Sequence, residues 1–222
     1  MKKVNIGVLV SGSGSNLQSI IDQIELGRLQ AEIKVVISNN PNAYALERAS
    51  RHHLAVHVVN HLDFRQREDF DRQMIEVLMA CDVELVVLAG FMRVLTPLFL
   101  HSFSRRVLNI HPALLPAFPG LHVQQQALEY GVKFAGCTVH FVDDGVDTGP
   151  IIIQAVVPVF DDDTEDTLAA RILPEEHRIY PQAIQFYAEG RLEVQGRKVV
   201  VADVRQSDDK ASYNPPVVIF TT

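Results

Sequence analysis

Short apolar runs rich in β-branched residues punctuate the first half of the chain: Val4 to Val10, Ala31 to Ser38, Val56 to Val59, Leu85 to Ala89 and Val107 to Ile110. Their hydrophobicity is continuous rather than alternating, which predicts strands covered on both faces. Between them the apolar positions recur at helical spacing, as at Leu17, Ile20, Ile21 and Ile24, along Ala43 to Arg51, and at Phe70, Met74, Ile75, Val77 and Leu78. Strand and helix in alternation predict an α/β fold with a doubly wound, mostly parallel sheet. After Pro116 the pattern changes to a proline- and glycine-rich loop, a helix near Gln124 to Tyr130, and strand-like runs at Thr138 to Val142 and Ile151 to Val157 that add mixed or antiparallel strands. The acidic cluster Asp161 to Asp166 contains Thr164, a helix cap in the making, ahead of a long helical stretch from Leu168 to Tyr187 that Pro174 and Pro181 are expected to interrupt. Arg191 to Val201, turning at Gly196, reads as a hairpin. From Ser207 the chain turns polar, then reaches Pro215-Pro216. The expected organisation is one catalytic domain over residues 1–201 and a loosely held tail over 202–222.

The 222 residues, 47% of them hydrophobic, suffice for one substantial core. A formal net charge of −7 disfavours the phosphate backbone of a nucleic acid. The apolar run at the N-terminus turns polar at Ser11 and Gly12, too early for a membrane span, and no small-residue cleavage site follows it. Cys81 and Cys137 lie far apart without ligand spacing, which predicts buried thiols in a reducing, cytoplasmic compartment. The nine histidines show no metal-ligand spacing, and no metal is expected.

The loop Ser11-Gly12-Ser13-Gly14-Ser15-Asn16 follows a strand and opens a helix, so free N–H groups and the positive end of a helix dipole meet at one spot suited to a phosphate. A dinucleotide site is disfavoured, because Leu17 stands where a third glycine belongs and the second strand ends at Ser38-Asn39-Asn40 without a ribose-binding acid. A P-loop fails for lack of a lysine after the glycines. The segment also reads as a plain tight turn with a Ser or Asn cap.

Asn109 and His111 stand two residues apart at the end of a strand and therefore on one side of it. Strand ends of this kind border the ligand crevice of open α/β sheets, where an amide and an imidazole can stabilise one developing oxyanion. A second polar loop holds Asp143, Asp144 and Asp147 before Gly149-Pro150. One of these carboxylates beside His111 would hold it as an imidazolium, whereas the plainer reading of Asp143 and Asp144 is a solvated acidic turn.

The stretches LVSGSGSNLQSII, LAGFMRVLTP, VLNIHPALLPAFPGLH, GCTVHFVDDGVDTGPII and EEHRIYP, in this order from Val4 to about Arg191, are similar to those of the folate-dependent formyltransferase family. The resemblance implies a Rossmann-like formyltransferase fold ending in mixed strands, a long helix and a hairpin. It also implies transfer of a formyl group from 10-formyltetrahydrofolate, as co-substrate, to the amine of 5-phosphoribosylglycinamide in de novo purine biosynthesis. By the same resemblance Asn109, His111 and Asp147 are the catalytic trio, and Gly14, Ser15, Asn16 and Glu176 bind the acceptor. Arg67, Met92, Arg93, Val94 and Leu95, with Asn109 and the loop Asp143, Asp144, Gly145, Val146 and Asp147, bind the folate. The chain departs from the family at Val123, Gln124 and Gln125, where Thr and His or Asn are usual after the Pro-Gly-Leu-His element.

Related activities fit less well. A methionyl-tRNA formyltransferase normally has a further C-terminal domain and Arg-Gly in place of Pro119-Gly120, and a formyltetrahydrofolate hydrolase normally has a regulatory domain ahead of the first strand, which here starts at residue 4. A non-catalytic phosphometabolite-binding protein would use only the glycine loop. The expected partners are small molecules, without nucleic acid or membrane, in a monomer or homodimer.

Overall fold

A computed structural model describes residues 3–202. The expected tail, apart from Ala202, lies outside the described residues. The elements are β1 (Val4–Val10), α1 (Ser15–Glu25), β2 (Ala31–Ser38), α2 (Tyr44–Arg51), β3 (Val56–Val58), α3 (Arg67–Ala80), β4 (Leu85–Leu88), α4 (Pro97–Ser102), β5 (Val107–His111), α5 (Val123–Tyr130), β6 (Phe134–Phe141), β7 (Ile151–Pro158), α6 (Glu165–Ala188), β8 (Leu192–Gln195) and β9 (Lys198–Val201).

One sheet runs in the order β3-β2-β1-β4-β5-β6-β7-β9-β8. The first five strands are mutually parallel, β5-β6 and β6-β7 are antiparallel, and the terminal hairpin docks β9 parallel to β7 through Ile151 and Lys198. The fold is thus α/β with a mostly parallel sheet and mixed later strands, as the apolar runs predict. The order reverses between β1 and β4, so a crevice opens at their carboxyl ends.

Side chains alternate across β1 and fill two cores. Val8 and Val10 join Leu17, Ile20, Ala45, Ile179 and Ile184 on the face of α1, α2 and α6. Leu9 joins Phe70, Met74, Leu78, Phe99 and Phe103 on the face of α3 and α4. Each fully buried Leu, Ile or Phe contributes about 1.5–3 kcal/mol of transfer free energy, so both faces hold the sheet rigid beneath the crevice. No helix of the described residues is long and apolar enough to cross a membrane.

Several expectations need correction. Val56–Val58 forms an edge strand whose residues are all exposed, so its β-branched run reflects strand propensity without coverage. The short helix α4, opened by Pro97 after Thr96, has no counterpart in the apolar periodicity because it is barely two turns long. Cys81 is only partly buried, whereas Cys137 is fully buried and its thiol is pushed well up by desolvation. The prolines do not interrupt α6, which runs unbroken for 24 residues with Pro174 and Pro181 inside it. Pro181 lacks the N–H that would bond the His177 carbonyl, and the Ser19 hydroxyl of α1 donates to that carbonyl instead, at 3.0 Å. Pro174 frees the carbonyl of Ala170, an exposed residue whose oxygen water can serve. Thr164 caps α6 as expected, in a reciprocal box with Thr167.

Candidate active site

The glycine loop leaves β1 and turns into α1 at Gly14, which takes φ +72°. A side chain there would also collide with α2, since a Cβ would sit 2.6 Å from Ala45 Cβ. The loop's carbonyls are tied to α2: Ala45 N donates to Gly12 O at 3.0 Å and Arg48 Nε to Ser13 O at 2.9 Å. Gly14 is itself the cap residue and no side chain caps α1, so the Ser or Asn cap reading falls away and the first-turn N–H groups remain open. They face a small hollow lined by Ser11, Gly12, Ser13, Gly14, Asn16 and Gly90, among others.

Asn16 reaches across to α6, where its Nδ2 donates to Glu176 Oε2 at 2.7 Å. Burial pushes the Glu176 carboxyl up, and the Asn16 bond opposes that in part. Asn16 Oδ1 is buried without a partner among the described residues. Gly14, Ser15, Asn16 and Glu176 are therefore brought together. Ser11, which opens the glycine loop, joins it to the segment after β4: its hydroxyl donates to Asn39 Oδ1 at 2.6 Å and accepts from Met92 N at 2.8 Å.

The second side begins after β4. Met92, Arg93 and Val94 are exposed, whereas the Leu95 side chain belongs to the core that contains Phe91 and Phe99. Arg67, the first residue of α3, donates to the Val94 carbonyl and so lies beside this segment. The segment is anchored by a residue that sequence reading passed over. Asp71 accepts from Thr96 N at 2.7 Å and from Thr96 Oγ1 at 2.6 Å, and burial raises its pKa against the pull of those bonds. Its signal was available, because an acid occupies the apolar stripe of α3 between Phe70 and Met74.

The trio lies at the end of β5. Antiparallel register sets Asn109 opposite His140 and His111 opposite Thr138. Asn109 Nδ2 lies 3.2 Å from His140 Nε2, and His140 Nδ1 lies 2.8 Å from Phe141 O. Burial lowers the pKa of His140. A neutral ring with its proton on Nδ1 satisfies both contacts, donating to Phe141 and accepting from Asn109. His111 is 4% exposed, with Nδ1 at 3.4 Å from Asp147 Oδ2 and Nε2 at 2.9 Å from Phe118 O. Both neighbours are acceptors: Nε2 donates to Phe118 O, and the Asp147 carboxylate stands beside Nδ1. Asp147, at φ +55°, is held by Gly120 N at 2.8 Å, and its other oxygen lies 3.7 Å from His140 Nε2.

Asp143 serves its own loop, accepting from Gly145 N at 3.2 Å and Thr148 Oγ1 at 2.6 Å, while Asp144, Gly145 and Val146 are exposed at the loop's crest. Behind His111, Thr138 Oγ1 donates to Ala113 O at 2.7 Å and accepts from Leu115 N at 3.1 Å, and Gln154 Nε2 donates to Leu115 O at 2.9 Å. These contacts fix the proline-rich loop that supplies the Phe118 carbonyl. Thr138 and His140 were detectable as polar residues two apart in an otherwise apolar strand.

An open helix N-terminus follows β1 and an Asn, His and Asp cluster gathers at the end of β5, an arrangement whose chemistry suits an anionic group and a developing oxyanion. Comparison with known proteins specifies the family. Residues 4–184 match the model of the formyl transferase family. The chain is 47% identical to the phosphoribosylglycinamide formyltransferase of Escherichia coli (strain K12) over 191 residues, covering 86% of this chain and 90% of that protein. It is 48% identical to part of the trifunctional purine biosynthetic protein adenosine-3 of Drosophila melanogaster, covering 85% of this chain and 14% of that protein. The structure of glycinamide ribonucleotide transformylase 1 from Symbiobacterium toebii superposes with a TM-score of 0.89 at 54% identity, covering 90% of this chain and 95% of the other. The chain belongs to the formyl transferase family and is a folate-dependent formyltransferase.

Proposed function

We propose that the chain transfers the formyl group of 10-formyltetrahydrofolate to the amine of 5-phosphoribosylglycinamide, in the cytoplasm, as a step of de novo purine biosynthesis, with residues 1–201 as the catalytic unit. The observation that carries this reading is the approach of Asp147 to 3.4 Å from His111 Nδ1, next to Asn109 at the end of β5, in the same sheet whose β1 leads into the Gly14 to Asn16 turn.

The phosphate of the acceptor binds the N–H groups of Gly14, Ser15 and Asn16, and Glu176 takes the ribosyl side. The folate lies along Met92 to Leu95 and under the Asp143 to Asp147 loop, with Arg67 and Arg93 supplying positive charge to its carboxylates. The acceptor nitrogen attacks the formyl carbon and a carbon–nitrogen bond forms. Negative charge develops on the carbonyl oxygen, where the Asn109 amide and the cationic His111 stabilise it. Collapse breaks the bond to the folate nitrogen. The proton that the amine loses balances the one that the folate nitrogen gains, and a water held by Asp147 carries it between them. No covalent enzyme intermediate and no metal enters the scheme, and the chain works as a monomer or homodimer on small molecules alone.

The test is spectroscopic. Mixing purified protein with 10-formyltetrahydrofolate and 5-phosphoribosylglycinamide should release tetrahydrofolate only when both are present, equally with and without a chelator. Release from the donor alone would make the chain a hydrolase. Loss of one oxyanion donor costs ~10²–10³ in rate, so Asn109→Ala and His111→Ala should each lower kcat by at least about that order. Asp147→Asn should depress turnover with less loss of donor affinity.

A further inference from the structure

The hairpin β8–β9 lies beyond residues 4–184, the span that the family model matches, yet its tip returns to the crevice. Arg197, beside the Gly196 turn, donates from Nη2 to the Thr148 carbonyl at 2.9 Å. Thr148 follows Asp147 directly, and its hydroxyl donates to Asp143 Oδ1 at 2.6 Å. One residue thus ties the crest of the loop to its stem, and Arg197 holds the peptide plane that leaves that residue.

The rest of the stem is confined on other sides. Gly149 packs so closely on β6 that a Cβ would lie 1.7 Å from Phe141 O, Phe141 N donates to Pro150 O at 2.9 Å, and Ile151 pairs with Lys198, the neighbour of Arg197. Next to the crest, Asp147 Oδ2 accepts from Gly120 N at 2.8 Å and stands 3.4 Å from His111 Nδ1. The Thr148 carbonyl is therefore where the fixed stem meets the exposed crest. Arg197 is exposed, and its Nη2 donor goes to that carbonyl. It also lines a cleft of about 300 Å³ together with Pro116, Pro119, Val146 and Asp147.

We infer that Arg197 is a positioning residue for the folate-binding loop: it holds the Thr148 peptide so that Val146 meets the donor and the Asp147 carboxylate stays on His111. The inference rests on the reading of Asp143 to Asp147 as the donor loop. Its prediction is specific to one substrate. Loosening the stem makes the free loop sample more conformations, and donor binding must then order it again, whereas the acceptor subsite on α1 and α6 lies on other elements.

The experiment measures 10-formyl-5,8-dideazafolate binding by calorimetry, and steady-state kinetics for both substrates, in the full-length wild type, Arg197→Ala and Arg197→Lys. A charge-assisted hydrogen bond at an exposed site predicts donor affinity weaker by roughly five- to tenfold in Arg197→Ala, with a parallel rise in donor KM and acceptor KM unchanged. Arg197→Lys, which keeps a cationic donor, should restore most of the loss. If Arg197 merely braced the hairpin, Arg197→Ala would lower the melting temperature and leave donor affinity within twofold of wild type, which overturns the inference. Equal weakening of both substrates overturns it as well. Wild type that binds the folate analogue but transfers nothing to 5-phosphoribosylglycinamide refutes the proposed reaction and leaves this inference to the calorimetry. Wild type that binds no folate refutes both.

Discussion

Gly14 offers a test in which backbone strain and packing can be read from the structure and separated by a neighbour. Gly14→Ala puts an L-residue at φ +72°, a left-handed conformation that costs about 1–2 kcal/mol. The new methyl would also stand 2.6 Å from Ala45 Cβ and 2.8 Å from Ala45 Cα. Neither atom belongs to a flexible side-chain end, so α2 must move, at roughly 1–3 kcal/mol. The two contributions sum to about 2–5 kcal/mol, a large share of the stability of an ordinary domain. Displacing α2 also disturbs the Ala45 to Gly12 and Arg48 to Ser13 bonds that shape the loop, so acceptor KM should rise while donor KM changes little. Gly12 is the control: it is exposed, its φ lies outside the left-handed range, and a Cβ there meets nothing within 4 Å. Gly12→Ala should cost less than about 0.5 kcal/mol. Urea unfolding at constant m, with KM measured for each substrate, decides the matter. A Gly14→Ala protein as stable as wild type, or a Gly12→Ala protein equally damaged, would refute the reasoning.

Asp71→Ala strips Thr96 of both its acceptors in a buried setting, so it should cost about 2–3 kcal/mol in urea unfolding and raise donor KM, because Thr96 closes the Met92 to Leu95 segment. Tyr180 is fully buried with its hydroxyl 2.9 Å from Leu88 O and 3.0 Å from Leu108 O; Tyr180→Phe leaves two carbonyls without that donor and should lose about 1–2 kcal/mol, checked by calorimetric melting. Burial depresses the folded-state pKa of His140 below its ordinary 6.5. The unfolded chain therefore binds the proton first, and the stability contributed by the neutral ring is complete above that ordinary value and is lost as pH falls through the depressed one. Melting temperatures across that interval should fall more steeply for wild type than for His140→Gln, and identical slopes would remove His140 as the cause.

Sequence pattern captured elements whose signal is periodic and long. The β1 and β2 boundaries follow directly from the runs Val4 to Val10 and Ala31 to Ser38, and the β8–β9 hairpin from its glycine. Burial of β3 was not legible, because the same β-branched residues serve an exposed edge strand. Continuity of α6 was hidden for a different reason: the rescue of the His177 carbonyl comes from Ser19, far away in the chain. At the crevice the period-two placement of Asn109 and His111 was readable, as was a carboxylate loop nearby. Which of Asp143, Asp144 and Asp147 would meet His111 was not fixed by spacing, since loop conformation decides it; the resemblance named Asp147, and Asp147 is the one at 3.4 Å. Residues that act by supporting others, such as Asp71 and Gln154, were passed over because their partners are contiguous only in space.

The contact between Asn16 and Glu176 joins residues 160 positions apart. During synthesis on the ribosome, the Gly14 to Asn16 turn emerges well before α6, so Asn16 has no Glu176 to bond until α6 has left the exit tunnel. The wall that this contact builds between α1 and α6 is therefore completed late, once α6 has been translated.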